Sequence, residues 1–430
     1  MGWIKDLWSF KKNPFSIREL SNSDELQKLF VDRKKEVKPL KNTFTGCEGG
    51  VVCGISGVRG CGKSTVLNKV LDEIKQENGL IIKVKASGTY AELDFLQKLL
   101  TDMCDQIEIQ DLPEKVVEEV IRLKTNLLYT EKVAEGRGSE ASIRASIKAS
   151  ILSFFSSEIG SEIKEKITKN VERQIKPYSK STLSREILQF LSFLRSETKF
   201  DYIVVGIDET DKCRFDVAEK LLDSIKALLG TEHCHFVFVG TLQFHKNFAQ
   251  AFKGLEEEAT LASIFEDIVL ITLFSNQEIV DIINKRLSYY SIGDKPKKPF
   301  SSEAMQVILE LANGNPKQAM RLCSQGFMYF GDKGKEISPA DLVEYFESKN
   351  YIQDLTRTEK EYVNVVKKLG EVSAISKKLF EELAKKGIKH KRKQYRVHLE
   401  RLVNKRYLKK TISEKEQVVY MPSELCKHIS

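Results

Sequence analysis

Short apolar runs recur along the first two-thirds of the chain, and each ends in a residue suited to a turn or a ligand. "VVCGIS" (51–56), "YIVVGI" (202–207), "CHFVFV" (234–239) and "DIVLITLF" (267–274) have the length and bounding residues of buried strands. Between them lie segments with helical spacing. In "STVLNKVLDEIK" (64–75), Val66, Val70, Leu71 and Ile74 share one face. Strands that alternate with helices predict an α/β layer built on a parallel sheet. One stretch is ambiguous: in "SIRASIKASILSFF" (142–155), Ile143, Ile147 and Ile151 fall one helical turn apart, yet the alternation of polar and apolar residues suits a hairpin strand equally well.

The pattern changes near the C-terminus. "EKEYVNVVKKLG" (359–370), "SKKLFEELAKKG" (376–387) and "KRKQYRVHLERLVNKRYL" (391–408) read as three helices, followed in "KKTISEKEQVVYM" (409–421) by two short strands around a charged turn. Tyr395, Leu399 and Leu402 form the inward face of the third helix. At the other end, Trp3, Ile4, Leu7 and Trp8 of "MGWIKDLWSF" make one apolar stripe, readable as a strut, a partner anchor or a membrane-surface helix. The strut or partner anchor is favoured.

With 430 residues and 41% hydrophobic content, the chain is expected to fold as two or three globular domains. Its eight cysteines contain no C-x-x-C pair, which speaks against a disulfide scaffold or zinc ribbon and for a reducing, cytoplasmic setting. No stretch reads as a spanning segment or a secretory signal. "HCH" (233–235) leads straight into a strand and is read as structural rather than metal-binding. Net charge is +8, but residues 376–410 carry fourteen Lys/Arg against three acids, a local +11 that leaves −3 elsewhere. The basic character sits in one C-terminal module.

Candidate chemistry begins at Gly57-x-x-x-x-Gly62-Lys63-Ser64, which has the form of a phosphate-binding loop between a strand and a helix. Gly57, Gly60 and Gly62 let backbone N–H groups turn toward phosphate oxygens, Lys63 neutralises their charge, Ser64 is a candidate Mg²⁺ ligand, and Thr65 is a further candidate nucleotide contact at the helix start. At the end of a second strand, Asp208 is placed to serve the Mg²⁺ shell and Glu209 to orient and deprotonate a water. Thr241, ending the next strand, is a candidate for contacting that water or the γ-phosphate. Adjacent Asp and Glu point to hydrolysis rather than binding alone. Cys61 lies inside the loop as a candidate for oxidation.

Together these residues resemble the AAA+ ATPases, and within them the branch of origin-recognition initiators, helicase-loader-like proteins and STAND signalling ATPases. "NPFSIREL" and "LFVDRKKEVKPL" resemble that branch's adenine-side entry, F-V-G-R-x-x-E-I-x-x-L; the resemblance marks Val31 and Arg33 as cofactor contacts, with Asp32 in place of glycine. "LANGNPKQAMRLC" (311–323) resembles the sensor-2 helix of a helical lid, with Lys317 where arginine is commoner, which marks Lys317 as a catalytic candidate contacting the γ-phosphate as a point charge. The resemblance implies an ASCE-type P-loop parallel sheet with helices on both faces, a small helical lid and a C-terminal winged-helix domain. The implied division is an entry segment 1–40, an ATPase core 41–274 with a largely helical insert near 105–185, a lid 275–350 and a winged helix 357–430. Two departures stand out. No arginine occurs from Thr241 to Lys285, where an arginine finger is expected, so either Lys253 or an insert residue substitutes for it or turnover is slow and the protein acts as a nucleotide-gated switch. In addition, Asp208 lies 145 positions after Lys63, a distance that the insert must absorb.

In a winged helix the third helix is the one that reaches the major groove. Lys391, Arg392, Lys393, Arg396 and His398 are therefore candidate DNA contacts, and Lys409 and Lys410 at the wing candidate phosphate contacts. The expected function is an ATP- and Mg²⁺-dependent hydrolase, ATP plus water to ADP plus phosphate, that engages duplex DNA in a nucleotide-gated manner, with a protein partner or a homo-oligomer. The alternative is a STAND-like signalling or defence ATPase whose winged helix is a regulatory or protein-contact element.

Overall fold

The apolar runs pair as strands of one sheet in the computed structural model of the chain, which describes residues 2–31, 33–86, 92–107, 113–135, 139–154, 167–168, 177–212, 232–241, 243, 265–349, 355–374, 376–388, 390, 392–412 and 418–423. Two compact units form: Arg33–Thr272, and Met1–Asp32 together with Leu273–Ser430.

In the first unit, β1 (Val52–Gly57), β2 (Gly79–Lys85), β3 (Tyr202–Asp208), β4 (Cys234–Val239) and β5 (Phe265–Ile271) make a five-stranded sheet in the order β2-β3-β4-β1-β5. Every pairing is parallel. β1 and β4 are buried along their whole length and β3 at all but its first residue, as strands covered on both faces must be. β4 separates β1 from β3.

Helices cover both faces. α3 (Lys34–Gly46) precedes β1, and α4 (Lys63–Gln76) follows it, burying Val66, Val70, Leu71 and Ile74. Gly206 in β3 admits α4 closely, since a Cβ there would lie 3.1 Å from Leu67 Cδ1 and 3.2 Å from Leu71 Cδ1. On the opposite face, Leu80, Ile82 and Val84 of β2 pack with Leu96 and Leu99 of α5 (Glu92–Gln106) and Leu183 and Ile187 of α8 (Lys180–Glu197). The insert contributes α6 (Glu114–Glu135) and α7 (Glu140–Phe154). The ambiguous stretch 142–155 is thus helical over its described residues. Ile147 and Ile151 meet Val117 and Ile121 of α6, and that apolar partner decides between helix and strand.

In the second unit, α1 (Gly2–Trp8) and α2 (Ser23–Leu29) join α9 (Asn276–Tyr290), α10 (Ser302–Ala312), α11 (Pro316–Phe330) and α12 (Pro339–Ser348). The tryptophan stripe packs inward. Trp8 Nε1 donates to the Gly331 carbonyl at 2.6 Å, and the Trp3 ring lies 5.1 Å from that of Phe327 on α11. Phe15 joins Phe300 and Phe327 in the same core. Residues before α3 therefore belong with the lid helices, whereas α3 buries Val37, Leu40 and Phe44 in the sheet unit. The entry segment is divided rather than continuous.

The C-terminal residues form α13 (Arg357–Leu369), β6 (Val372–Ser373), α14 (Lys377–Lys385), α15 (Arg392–Asn404), β7 (Leu408–Ile412) and β8 (Val418–Pro422). The strands make an antiparallel sheet in the order β6-β8-β7. Tyr362, Leu379, Leu383, Tyr395, Leu399 and Leu402 form its core. Among the described residues no helix is long and apolar enough to cross a membrane.

Candidate nucleotide-binding site

β1 delivers the chain to the glycine-rich loop, and the loop delivers it to the N-terminus of α4. Gly60 (φ 86°) and Gly62 (φ 102°) occupy left-handed backbone that glycine adopts at least cost. Gly57 is excluded from carrying a side chain for another reason: a Cβ would lie 2.6 Å from the Ile271 carbonyl oxygen and 2.8 Å from Cys61 Sγ. No side chain caps α4 at Gly62, so its first N–H groups are presented as an anion-binding end. Lys63 folds back over the loop, its Nζ donating to the Gly57 and Val58 carbonyls at 3.0 and 3.1 Å. Thr65 lies in the first turn of α4, half-buried.

Asp208, buried at the end of β3, meets that turn. Its Oδ1 accepts from Ser64 Oγ at 3.2 Å and from the Glu209 N–H at 2.8 Å. A hydroxyl and a carboxylate at one point are hard oxygen donors, the set that Mg²⁺ takes, so the residues present fit that ion. Glu209 itself stands in left-handed backbone (φ 62°), uncommon for a glutamate and a mark of a constrained site. Its Oε2 accepts from Lys212 Nζ at 2.6 Å. The following Thr210 is buried, with Oγ1 donating to the Val239 carbonyl at 2.8 Å. Thr241 is tied to β1 through its carbonyl, which accepts from Ser56 Oγ at 3.0 Å. The ends of β1, β3 and β4 are thereby cross-linked around the loop.

Arg33 is buried at the start of α3, where Nη2 donates to the Thr272 carbonyl at 2.8 Å and Nη1 to Glu36 Oε1 at 2.9 Å. Through these polar contacts Arg33 fastens α3 to the end of β5. Its charge is also felt at Cys61, whose thiol burial pushes up against the opposing pull of Lys63 and Arg33. A buried thiol raised in this way is a poor nucleophile, which removes the expectation of oxidation at Cys61. Val31 and Lys317 belong to the other unit: Val31 is half-buried after α2, and Lys317 is exposed in the first turn of α11, whose start is capped by Asn315 accepting from the Gln318 N–H. Lys253 lies outside the described residues. Arg286, just past the arginine-free stretch, is buried and donates to the Ser16 carbonyl at 2.8 Å.

Two side chains that the motifs did not reveal join the site. Lys83 on β2 places Nζ 3.8 Å from Asp208 Oδ2 and 2.6 Å from Oδ1 of Asn68 on α4. The signal available was a lysine inside the apolar "GLIIKVK". His235, from "HCH", is structural: it accepts from the Val51 N–H through Nδ1 at 3.4 Å and stacks on Phe44. Among the described residues no cluster of three His, Cys, Asp or Glu side chains is placed to hold a metal.

Of the candidate DNA contacts, Arg396 is exposed on α15, while Lys391 and the side chains of Arg392 and Lys393 lie outside the described residues. Lys409 and Lys410 are exposed but paired, Lys409 Nζ with Glu310 of α10 at 2.6 Å and Lys410 Nζ with Glu400 at 2.8 Å. His398 does not project outward with Arg396. Its ring stacks 5.0 Å from Tyr362 and 4.9 Å from His390, and burial lowers its pKa.

A glycine loop opening a helix, a lysine poised over it, and a serine meeting a strand-end aspartate define a P-loop NTPase. The KAP family P-loop domain matches residues 33–330, and the chain belongs to that family. The motif-level resemblance to P-loop ATPases is consistent with that membership. Among solved structures, the chain is similar to the Aeropyrum pernix ORC2 protein in its ADPNP–ADP complexes, at 11% identity over 97% of this chain and 94% of that one, TM-score 0.45. It is also similar to the Aeropyrum pernix ORC1 protein in complex with DNA (12% identity, 96% and 93% covered, TM-score 0.42) and to Thermotoga maritima RuvB (14% identity, 94% and 95% covered, TM-score 0.38). No curated protein matches the chain.

Proposed function

We propose that this NTPase binds ATP with Mg²⁺, hydrolyses it to ADP and phosphate, and uses the cycle to gate engagement of duplex DNA by its C-terminal module, read as a winged helix. The observation that carries the proposal is the presence, in one chain, of an assembled phosphate-loop site and a module whose segment 376–410 has a net charge of +11. Loop N–H groups and Lys63 would bind the phosphates, with Lys63 exchanging its loop carbonyls for phosphate oxygens. Ser64 and Asp208 would hold Mg²⁺, which when bound neutralises phosphate charge. Glu209 would orient a water and take its proton as the water oxygen bonds to the γ-phosphorus and the bond to the β–γ bridging oxygen breaks. Thr241, at the adjoining strand end, would hold that water. Lys317 would sense the γ-phosphate as a point charge. With Glu209 held by Lys212 and no arginine from Thr241 to Lys285, turnover should be slow unless a protein partner or second copy supplies a cation.

Replacement of Glu209 by Gln tests the hydrolytic part. Phosphate release should fall by about 100-fold or more with ATP affinity retained; release at the wild-type rate would remove Glu209 from the mechanism. The second reading, a signalling ATPase with a regulatory C-terminal module, draws support from the Lys409–Glu310 pair, which fastens the β7–β8 hairpin to α10. It requires ATP-dependent assembly without DNA.

A further inference from the structure

Asp208 divides its carboxylate between two sets of neighbours. Oδ1 receives Ser64 Oγ and the Glu209 N–H, while Oδ2 faces Lys83 Nζ at 3.8 Å. Lys83 is fixed at both ends. Its backbone lies on the edge strand β2, where the Gln106 amide closes two hydrogen bonds upon it: the Lys83 N–H donates to Oε1 and Nε2 donates to the Lys83 carbonyl, both at 2.7 Å. Its ammonium donates at 2.6 Å to Asn68, which is buried one helical turn after Ser64 on α4. The phosphate loop's own chemistry does not call for this lysine, yet three elements converge to hold it beside the metal carboxylate.

We infer that Lys83 is a resident counter-cation of the metal site, a positioning residue acting through Asp208, which keeps the nucleotide-free site from taking up divalent metal alone. Metal then enters with the nucleotide. The inference rests on the nucleotide-binding reading of the site. Without nucleotide, the Lys83 ammonium faces the buried Asp208 carboxylate while the Lys63 ammonium lies over the phosphate-loop carbonyls, so the site favours a polyphosphate anion over a free cation. Removing the Lys83 charge leaves Asp208 buried without that neighbour and raises its attraction for a divalent ion.

Full-length Lys83→Met and Lys83→Arg proteins provide the test, with Mn²⁺ titrated against nucleotide-free protein by electron paramagnetic resonance and ATP titrated by calorimetry in EDTA and in Mg²⁺. Lys83→Met should bind Mn²⁺ about tenfold more tightly than wild type and bind ATP in EDTA several-fold more weakly, while Lys83→Arg stays near wild type in both. A purely structural lysine would alter stability without creating metal affinity. Mn²⁺ affinity within about twofold of wild type in Lys83→Met would overturn the inference. Should Lys83→Met fail to fold, Gln106→Ala keeps the charge but loosens the backbone clamp; a several-fold gain in Mn²⁺ affinity is expected there, and an unchanged affinity would equally overturn it. Failure of wild type to bind ATP with Mg²⁺ would instead remove the nucleotide reading itself.

Discussion

Gly57 has room for a hydrogen and nothing more, with the Ile271 carbonyl oxygen 2.6 Å and Cys61 Sγ 2.8 Å from where a Cβ would stand. Gly57→Ala must move either the loop or β5, and it should cost about 1–3 kcal/mol of stability and weaken nucleotide binding about tenfold, measured by denaturation and calorimetry. Lys212 is a different kind of control. Its pair with Glu209 is partly exposed, so Lys212→Met should leave stability nearly unchanged and raise phosphate release by no more than about fivefold; a fall in rate would show that Lys212 assists rather than restrains. His235 gives the sheet unit a pH dependence. Burial first, and the nearby His233 charge second, hold its pKa down to about 4. A histidine with a depressed folded-state pKa stabilises the fold fully above its unfolded value of about 6.5, and that stability is lost as pH falls toward the folded value. Chemical denaturation of the wild type should therefore lose about 3 kcal/mol across that window, and His235→Phe should flatten the loss. The phosphate loop and the Asp208–Glu209 pair were legible because each is contiguous in sequence. Lys83, Asn68 and the anchoring role of Arg33 were not, since they arise where β2, α4 and β5 approach one another. The inward turn of His398 was present in the helical period, three residues beyond Tyr395 and one before Leu399, but its place among cations drew it to the DNA face.

At the scale of elements, the strands of the sheet centre were readable from uninterrupted apolar runs ending in Gly, Asp or Thr. β2 was harder to single out because Lys83 and Lys85 interrupt it, as they can on a sheet edge. α7 could not be told from a strand until α6 supplied the apolar face for Ile147 and Ile151. The N-terminal stripe offered three readings, and the hydrogen bond from Trp8 to Gly331 with the rings around Phe327 settles on packing. Trp8→Ala should therefore destabilise the unit containing α1 and α11 by about 3–5 kcal/mol, read as a lowered midpoint in thermal unfolding. Retention of the wild-type midpoint would mean that α1 contributes little to that core.

In the whole molecule, one chain carries a P-loop NTPase and a cationic C-terminal module, and in the proposed function the nucleotide decides how that module meets DNA. Pairing of Lys409 with Glu310 and Lys410 with Glu400 means that phosphate contacts by the hairpin would exchange one anionic partner for another. Arg396→Ala, on the exposed face of α15, should weaken duplex binding and reduce its salt slope by about one. Nucleotide gating of DNA engagement is tested most directly by fluorescence anisotropy of a labelled duplex titrated with the full chain in ATP, in ADP and without nucleotide, over a range of salt. Binding should be salt-steep, with an affinity that differs by about tenfold or more between ATP and ADP. One affinity shared by all three nucleotide states would contradict nucleotide gating.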